Sequence, residues 1–328
     1  MLGSLLSVIS AACFGLNNAT VRRGVVTGSV IQGLIISVPS GVPLFFVCTL
    51  LAGSLDLLLR FSSETLLLFA TAGIVHFVFG RYCNYRALKA MGGNLTGPVQ
   101  QCSLIVSLAG AIWFLNEYLT PLRILGIVLV FLGPAVMLNG RKSSPAKPRS
   151  VSDFQPKYVE GFTFSILSTL AYGSSALFVR AVFEHGGGTG IGASLAGGLV
   201  SYIAATIVAV LFVLRKSQID HILATDRAAV PWFVWSGVNV CAAQIFRYMA
   251  LAVAPVSVVA PLMQLQVIFR WIFAWMINRE HEVFDKWALI GTAISLVGAL
   301  ALSLSIDFVL NLIPLPATLV EIARWRWP

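Results

Sequence analysis

Residues 76–101 read HFVFGRYCNYRALKAMGGNLTGPVQQ, and residues 239–264 read NVCAAQIFRYMALAVAPVSVVAPLMQ. Set side by side (76 against 239, an offset of 163), they pair Tyr85 with Tyr248, Ala87 with Ala250, Leu88 with Leu251, Pro98 with Pro261 and Gln101 with Gln264. Polarity is kept at three further stations. His76, Arg81 and Asn84 meet Asn239, Gln244 and Arg247, with arginine and amide exchanged. The same offset aligns Glu117 with Glu280, and nearby offsets extend the series in both directions. Phe14-Gly15 and Val21-Arg22 meet Tyr172-Gly173 and Val179-Arg180, and Gly126 and Gly133 meet Gly291 and Gly298. One identity in an apolar chain means little, but this ordered series points to a duplicated unit.

The 328 residues are 58% hydrophobic and 11% charged, and the mean hydropathy is +0.88. A soluble domain carries about 25% charge, so these values exclude an ordinary soluble domain, and disorder as well. A bilayer core takes about 20 apolar residues per helix, and such stretches lie at 2–21, 28–52, 66–90, 95–115 and 119–138. After a polar segment they recur at 159–182, 190–214, 230–252, 256–278 and 287–305. Helices are required because lipid offers backbone groups no partner. The stretch 1–20 has no basic residue ahead of its apolar run, so it reads as a first span rather than a cleaved leader.

The expected fold class is an all-α integral membrane protein with ten transmembrane helices. Residues 1–139 form a first five-helix repeat, 140–158 a polar linker rich in Pro, Ser and basic residues, 159–305 a second repeat, and 306–328 a tail ending in Arg324-Trp325-Arg326-Trp327 that suits the headgroup region. Five is odd, so the second copy enters the membrane from the opposite side. Inverted repeats of this kind recur in secondary transporters, with binding near the midplane.

At Phe114-Leu115-Asn116-Glu117, Thr120-Pro121, Gly126 and Gly133, at Ile277-Asn278-Arg279-Glu280 with Gly291 and Gly298, and at Tyr85-Arg86-Ala87-Leu88-Lys89 before Pro98, the chain resembles the EamA-like branch of the drug/metabolite transporter superfamily. The likeness runs from about residue 3 to 305. It implies ten helices around a cavity lined by spans 1, 3, 4, 6, 8 and 9, and export of amino acids, other metabolites or toxic compounds by alternating access. No cofactor is implied.

Charges at bilayer depth are costly and mark function by default. The candidate substrate-binding residues are Arg81, Arg270, Asn84, Gln244, Arg247, Gln101, Gln264 and Asn17, with His76 as a candidate coupling group. Arg81 with Asn84, and Gln244 with Arg247, are spaced i, i+3 on one helix face. Pro98 and Pro261 are expected to open their helices ahead of the two glutamines. Arg270 has Ser107 as its counterpart and so breaks the symmetry. The competing reading is that these groups hold the bundle together by mutual hydrogen bonds, with Arg247 snorkelling to the headgroups.

All thirteen carboxylates fall in loops, at helix ends or in the tail, so none neutralises the deep arginines from within a span. The superfamily's small multidrug branch uses a first-span glutamate, where this chain has Asn17 and Asn18. Deep cations without deep anions point to a substrate bearing a carboxylate or phosphate, which arginine binds bidentately. The alternatives are a scaffold or channel without carrier activity, or an exporter of neutral or cationic toxic compounds.

Five cysteines inside apolar runs, without a CxxC pair, give neither a disulfide framework nor a metal site. The spans hold no HExxH or paired aspartates, so an enzyme is not expected. The net charge of +9 is scattered between apolar runs, which argues against nucleic acid as a partner. The expected partners are a small-molecule substrate and the lipid bilayer, here the plasma membrane of a bacterium or archaeon. Basic residues favour the odd-numbered connections and put the linker in the cytoplasm, whereas the family is usually drawn with cytoplasmic termini. Small residues at Gly192/Ala196 and Ala193/Gly197, and the glycine pairs on spans 5 and 10, serve packing within a monomer, with a dimer seam as the other use.

Overall fold

The computed structural model describes the chain apart from residues 1, 116–118, 143–153, 185–189, 254–258, 260–261, 305, 313–315, 317, 319, 322–323 and 326–328. Asn116, Glu117, Pro261, Arg326, Trp327 and most of the expected linker therefore lie outside the described residues. The remainder is all α-helical in character. α1 is Leu2–Thr27, α2 Val30–Ser37, α3 Gly41–Leu51, α4 Leu57–Arg60 and α5 Ser63–Gly73. A π-helical segment, Ile74–Gly80, runs directly into α6, Arg81–Met91. Then come α7 Gly93–Gln101, α8 Ser103–Leu115, α9 Pro121–Lys142, α10 Tyr158–Glu184, α11 Ile191–Phe212, α12 Lys216–Leu223 and α13 Val230–Val253. α14 Gln266–Asn278, α15 Lys286–Ser303 and α16 Ile306–Leu312 complete the set.

Seven helical stretches among the described residues are long and apolar enough to cross a membrane: Leu2–Thr27, Val30–Leu51, Ser63–Met91, Pro121–Asn139, Tyr158–Val179, Ile191–Phe212 and Lys286–Ser303. The other three expected spans are also occupied by helix, but differently. α7 and α8 are parted by a turn at Cys102, α14 is 13 residues long, and α13 carries Asn239, Gln244 and Arg247, which lower its hydropathy. The distribution of side chains fits a membrane solvent. Leu51, Trp113, Phe131, Val159 and Phe212 face outward, while Asn17, Arg22, Arg81, Gln101, Gln264 and Arg270 are buried. In water such an apolar exterior would aggregate; in hydrocarbon it is the matching surface.

The first span differs from its expected bounds. α1 continues to Thr27, so Arg22 is a buried helical residue and not part of a connection. Its helix gives way to α2 through a capping box, in which Ser29 Oγ accepts from Gln32 N and Gln32 Oε1 accepts from Ser29 N. Between α6 and α7 the chain turns at Gly92, whose φ of +82° suits only glycine. Room is limiting there too: a methyl group on Gly92 would lie 2.5 Å from Glu282 Oε2.

Pro98 lies inside α7, and the helix ends one turn later, where Cys102 N donates to Val99 O at 3.1 Å. Val99 O also accepts from Thr169 Oγ1 of α10, at 3.2 Å. The Val99 carbonyl, in the last turn of α7, is thus satisfied both along the chain and across the bundle.

Glycines set the closest helix pairs. Gly126 and Gly133 of α9 meet Gly298 and Gly291 of α15, and a methyl on Gly133 would lie 2.5 Å from the Gly291 carbonyl oxygen. The two expected glycine stripes therefore pack against each other within the chain. On α11, Gly197 and Gly198 admit the rings of Phe69 and Phe45. The main buried cluster gathers Phe45, Phe77, Leu199 and Tyr202 from α3, the π-helical segment and α11.

Candidate functional site

α6 carries polar groups to two separate places. From its first residue, Arg81 reaches α2 and α11: Nη1 donates to Ser37 O and Nη2 to Tyr202 Oη, each at 3.3 Å. The guanidinium also lies 5.1 Å from the Phe77 ring centre, a cation–π contact. Close by, Tyr85 Oη bonds Ser37 Oγ at 2.9 Å and Ser236 Oγ at 3.1 Å, and Ser236 Oγ donates to Asn17 Oδ1 at 2.8 Å. This chain holds α1, α2, α6 and α13 together.

Asn84 turns instead toward α7. Its Oδ1 accepts from Gln100 Nε2, and Gln100 Oε1 accepts from Arg270 Nη2 of α14 at 2.9 Å. The i, i+3 spacing of Arg81 and Asn84 therefore does not give them common partners. Arg81 sits where the π-helical segment becomes α-helix, and its long side chain extends away from the Asn84 cluster. Tyr172 of α10 neighbours Asn84, and the ring of His76 lies 4.6 Å from it. His76 Nδ1 bonds Ser175 Oγ at 2.8 Å, and Arg81 and Arg247 both face it. A π-helical turn presents side chains at an angle that an α-helix cannot, and here it turns His76 toward α10.

Arg270 is 4% exposed, and its Nε and Nη1 have no hydrogen-bond partner among the described residues. The guanidinium lies on α7, where a methyl on Gly97 would come 2.9 Å from Nη1. Three N–H groups on these two nitrogens are left without acceptors. Gln101 Nε2 and Trp271 Nε1 are likewise buried donors without partners among the described residues. An unmet buried donor costs about 1–3 kcal/mol, so the Arg270 guanidinium is suited to an acceptor-rich group.

Of the remaining expected residues, Gln264 is buried at the turn before α14, and Gln244 is buried with an Oε1 that has no partner among the described residues. Arg247 is half-buried. Asn17 belongs to the Tyr85–Ser236 chain and not to the Arg270 cluster. Sequence reasoning passed over Gln100, Tyr172 and Tyr202. Gln100 has Met263 at its repeated station, so a search for matched polar pairs could not find it.

One carboxylate does reach the interior, contrary to the expectation from the spans. Glu282, in the turn between α14 and α15, is 4% exposed and accepts from the backbone N–H of Gly93 and of Asn94 at the start of α7. Arg22 Nε lies 3.7 Å from its Oε1. Arg22 also donates to the carbonyls of Leu88, at 2.8 Å, of Lys89, at 3.0 Å, and of His281. Asn94 Nδ2 donates to Val283 O, at 3.1 Å, and Phe154, within the expected linker, places its ring 4.1 Å from Arg22 Cζ. Burial raises the Glu282 carboxyl above its ordinary range, against the pull of Arg22 and the two N–H groups. The result is a buried polar plug at the linker end, joining α1, the α6–α7 turn and the α14–α15 turn. A methyl on Gly93 would lie 3.2 Å from Glu282 Oε1 and 3.6 Å from Arg270 Cδ, so Gly93 sits between plug and arginine cluster.

A solved crystal structure, described only as that of a protein, shares 15% sequence identity with this chain. It aligns over 91% of this chain and 95% of its own with a TM-score of 0.52, a likeness of fold alone. No curated protein matches by sequence. The sequence model of the EamA-like transporter family matches residues 1–139. With its apolar exterior and membrane-length helices the chain is an integral membrane protein, and its residues 1–139 match the EamA-like transporter family, which belongs to the drug/metabolite transporter superfamily.

Proposed function

We propose that the protein is a secondary-active carrier that exports a small anionic metabolite by alternating access, in the plasma membrane of a bacterium or archaeon. The substrate bears a carboxylate or phosphate and binds at Arg270, with Gln100, Gln101, Asn84 and Tyr172 around it and Arg81 adding positive potential. Gln244, Gln264, Arg247 and Asn17 belong to the same polar interior, and His76 is the candidate for proton coupling. The observation that carries this reading is the buried Arg270 guanidinium, with two nitrogens that lack acceptors among the described residues.

Two inverted five-helix repeats are part of the proposal, and local detail supports them. α8 and α14 are both 13 residues long and begin at the same repeated station, each just after a turn, at Cys102 and at Gln264–Leu265. Gly15 backs onto Phe269 and Arg270, while Gly173 backs onto Val106 and accepts from Ser107 Oγ at its carbonyl. Adding 163 to 106 and 107 gives 269 and 270. α1 packs on α13 and α14 as α10 packs on α6 and α8. In this scheme the Arg22–Glu282 plug closes the linker side.

The test is counterflow in proteoliposomes with labelled carboxylates and phosphate esters, comparing the wild type with R270Q, R270K and R81Q. Saturable exchange of an anion, lost in R270Q and partly kept in R270K, is expected. Exchange of anions at wild-type rates by both R270Q and R81Q, or stabilisation of the purified protein by cations alone, overturns the anionic reading.

A further inference from the structure

A second basic place lies at the linker end, away from Arg270. A cavity of about 370 Å³ opens between the α1–α2 turn, the end of α6, the segment entering α10 and α12. Its volume is at the lower end of the range for small-ligand sites. Arg86, Lys89, Lys157 and His221 line it, with Glu160 as the one carboxylate and Phe154 among the apolar residues. The cations are not equivalent. Arg86 Nε is 2.8 Å from Glu160 Oε1 and donates through Nη1 to Tyr82 Oη, so this pair is self-compensating. Lys89 Nζ donates to the Gly28 carbonyl at 2.9 Å, a neutral acceptor that leaves its charge unbalanced. Neither Lys89 nor Lys157 has a carboxylate within salt-bridge distance among the described residues.

These like charges feel one another. Among the described residues Lys89 is faced by Arg22 and Lys157, with Glu160 as the one opposing charge acting on it. His221 Nε2 bonds Ser29 Oγ at 2.9 Å on the cavity wall. Gathering cations around a partly enclosed space costs electrostatic energy that a bound anion would offset. Apolar wall and cationic rim together suit a phosphate group carried on a larger body.

We infer that this cavity is an anion-binding site for a phosphate-type group, held between Lys89 and Lys157 and distinct from the cargo site at Arg270. The group belongs either to an anionic lipid headgroup or to a free phosphate. The inference does not depend on the transport reading. Lys89 also ties the site to the plug, because its own carbonyl accepts from Arg22 Nη1, and Lys157 N donates to Ala90 O at 2.8 Å. An occupied site would therefore stabilise the closed linker end.

The experiment uses the full chain with two probes. Nanodiscs of mixed phosphatidylglycerol and phosphatidylcholine, read by native mass spectrometry, report retained anionic lipid. Thermal shift with inorganic phosphate reports the free ion. The variants are K89Q/K157Q and, to keep charge and fold, K89R/K157R. Retention or shift in the wild type and in K89R/K157R, weakened about tenfold or more in K89Q/K157Q, is expected, and the probe that responds names the source. Equal response in K89Q/K157Q, or none with either probe, overturns the assignment. So does a response abolished by R270Q, which would place the anion at the cargo site instead.

Discussion

Replacing Glu282 by glutamine keeps the shape of the plug and removes its only negative charge. Glu282 is buried, accepts two backbone N–H groups at the start of α7 and faces Arg22 at 3.7 Å. Glutamine can accept from one of those N–H groups and sets a donor against the other, a loss of about 1.5–3 kcal/mol for one charge-assisted bond. Arg22 then remains buried without a counter-charge, and breaking such a pair costs about 3–5 kcal/mol in all. Arg22 keeps its three carbonyl acceptors, which places the expected cost near the lower bound, about 3 kcal/mol. That is a substantial part of a folding free energy of roughly 5–15 kcal/mol. The assay is thermal unfolding in detergent, read by exposure of the buried thiols Cys83 and Cys241. R22Q and the double variant R22Q/E282Q complete the cycle, with a coupling of about 0.5–3 kcal/mol expected. If E282Q unfolds with the wild type, or the two effects simply add, the plug is not held by this pair and the reasoning fails.

Two shorter predictions concern the seam and the turn. G133V should lower thermal stability and yield sharply, because a methyl there already runs into Ser295 Oγ and lies 2.5 Å from the Gly291 carbonyl oxygen; overpacking of this kind costs about 1–3 kcal/mol or more, and wild-type melting of G133V would refute the contact. His281 is held below its ordinary value by burial and by Arg23 and Arg22, against the opposite pull of Glu280. Its neutral form is therefore favoured in the fold, and stability should fall as pH drops below the ordinary histidine value of about 6.5. In H281N that part of the acid slope should vanish, and equal slopes from pH 7 to pH 5 would count against it.

The sequence made some of this structure legible and left the rest hidden for physical reasons. Hydropathy located the apolar stretches because a bilayer demands length and apolarity, and the glycine pairs on α9 and α15 stood out because spacing alone identifies a packing stripe. Matched polarity led to Arg81 and Asn84, and broken symmetry to Arg270, but neither told who meets whom. Whether α6 begins at Arg81 or a π-helical turn precedes it decides the direction of that side chain, and no residue pattern announces that extra backbone residue per turn. Arg22 was misread because a basic residue at the end of an apolar run resembles a connection, while α1 continues to Thr27. Glu282 was judged by its place in a turn, and only the tertiary fold shows that turn folding inward onto the start of α7.

The contact of α9 with α15 has a consequence for motion. Where glycine stripes bring two backbones together, carbonyls of one helix occupy the space between residues of the other, and sliding along the axis would drive each into its neighbour's next turn. Sterics at these glycines oppose translation of one helix along the other. In the carrier cycle proposed above, with residues 1–139 as one repeat, this seam would act as the axle and the opposite edge of the bundle would carry the displacement.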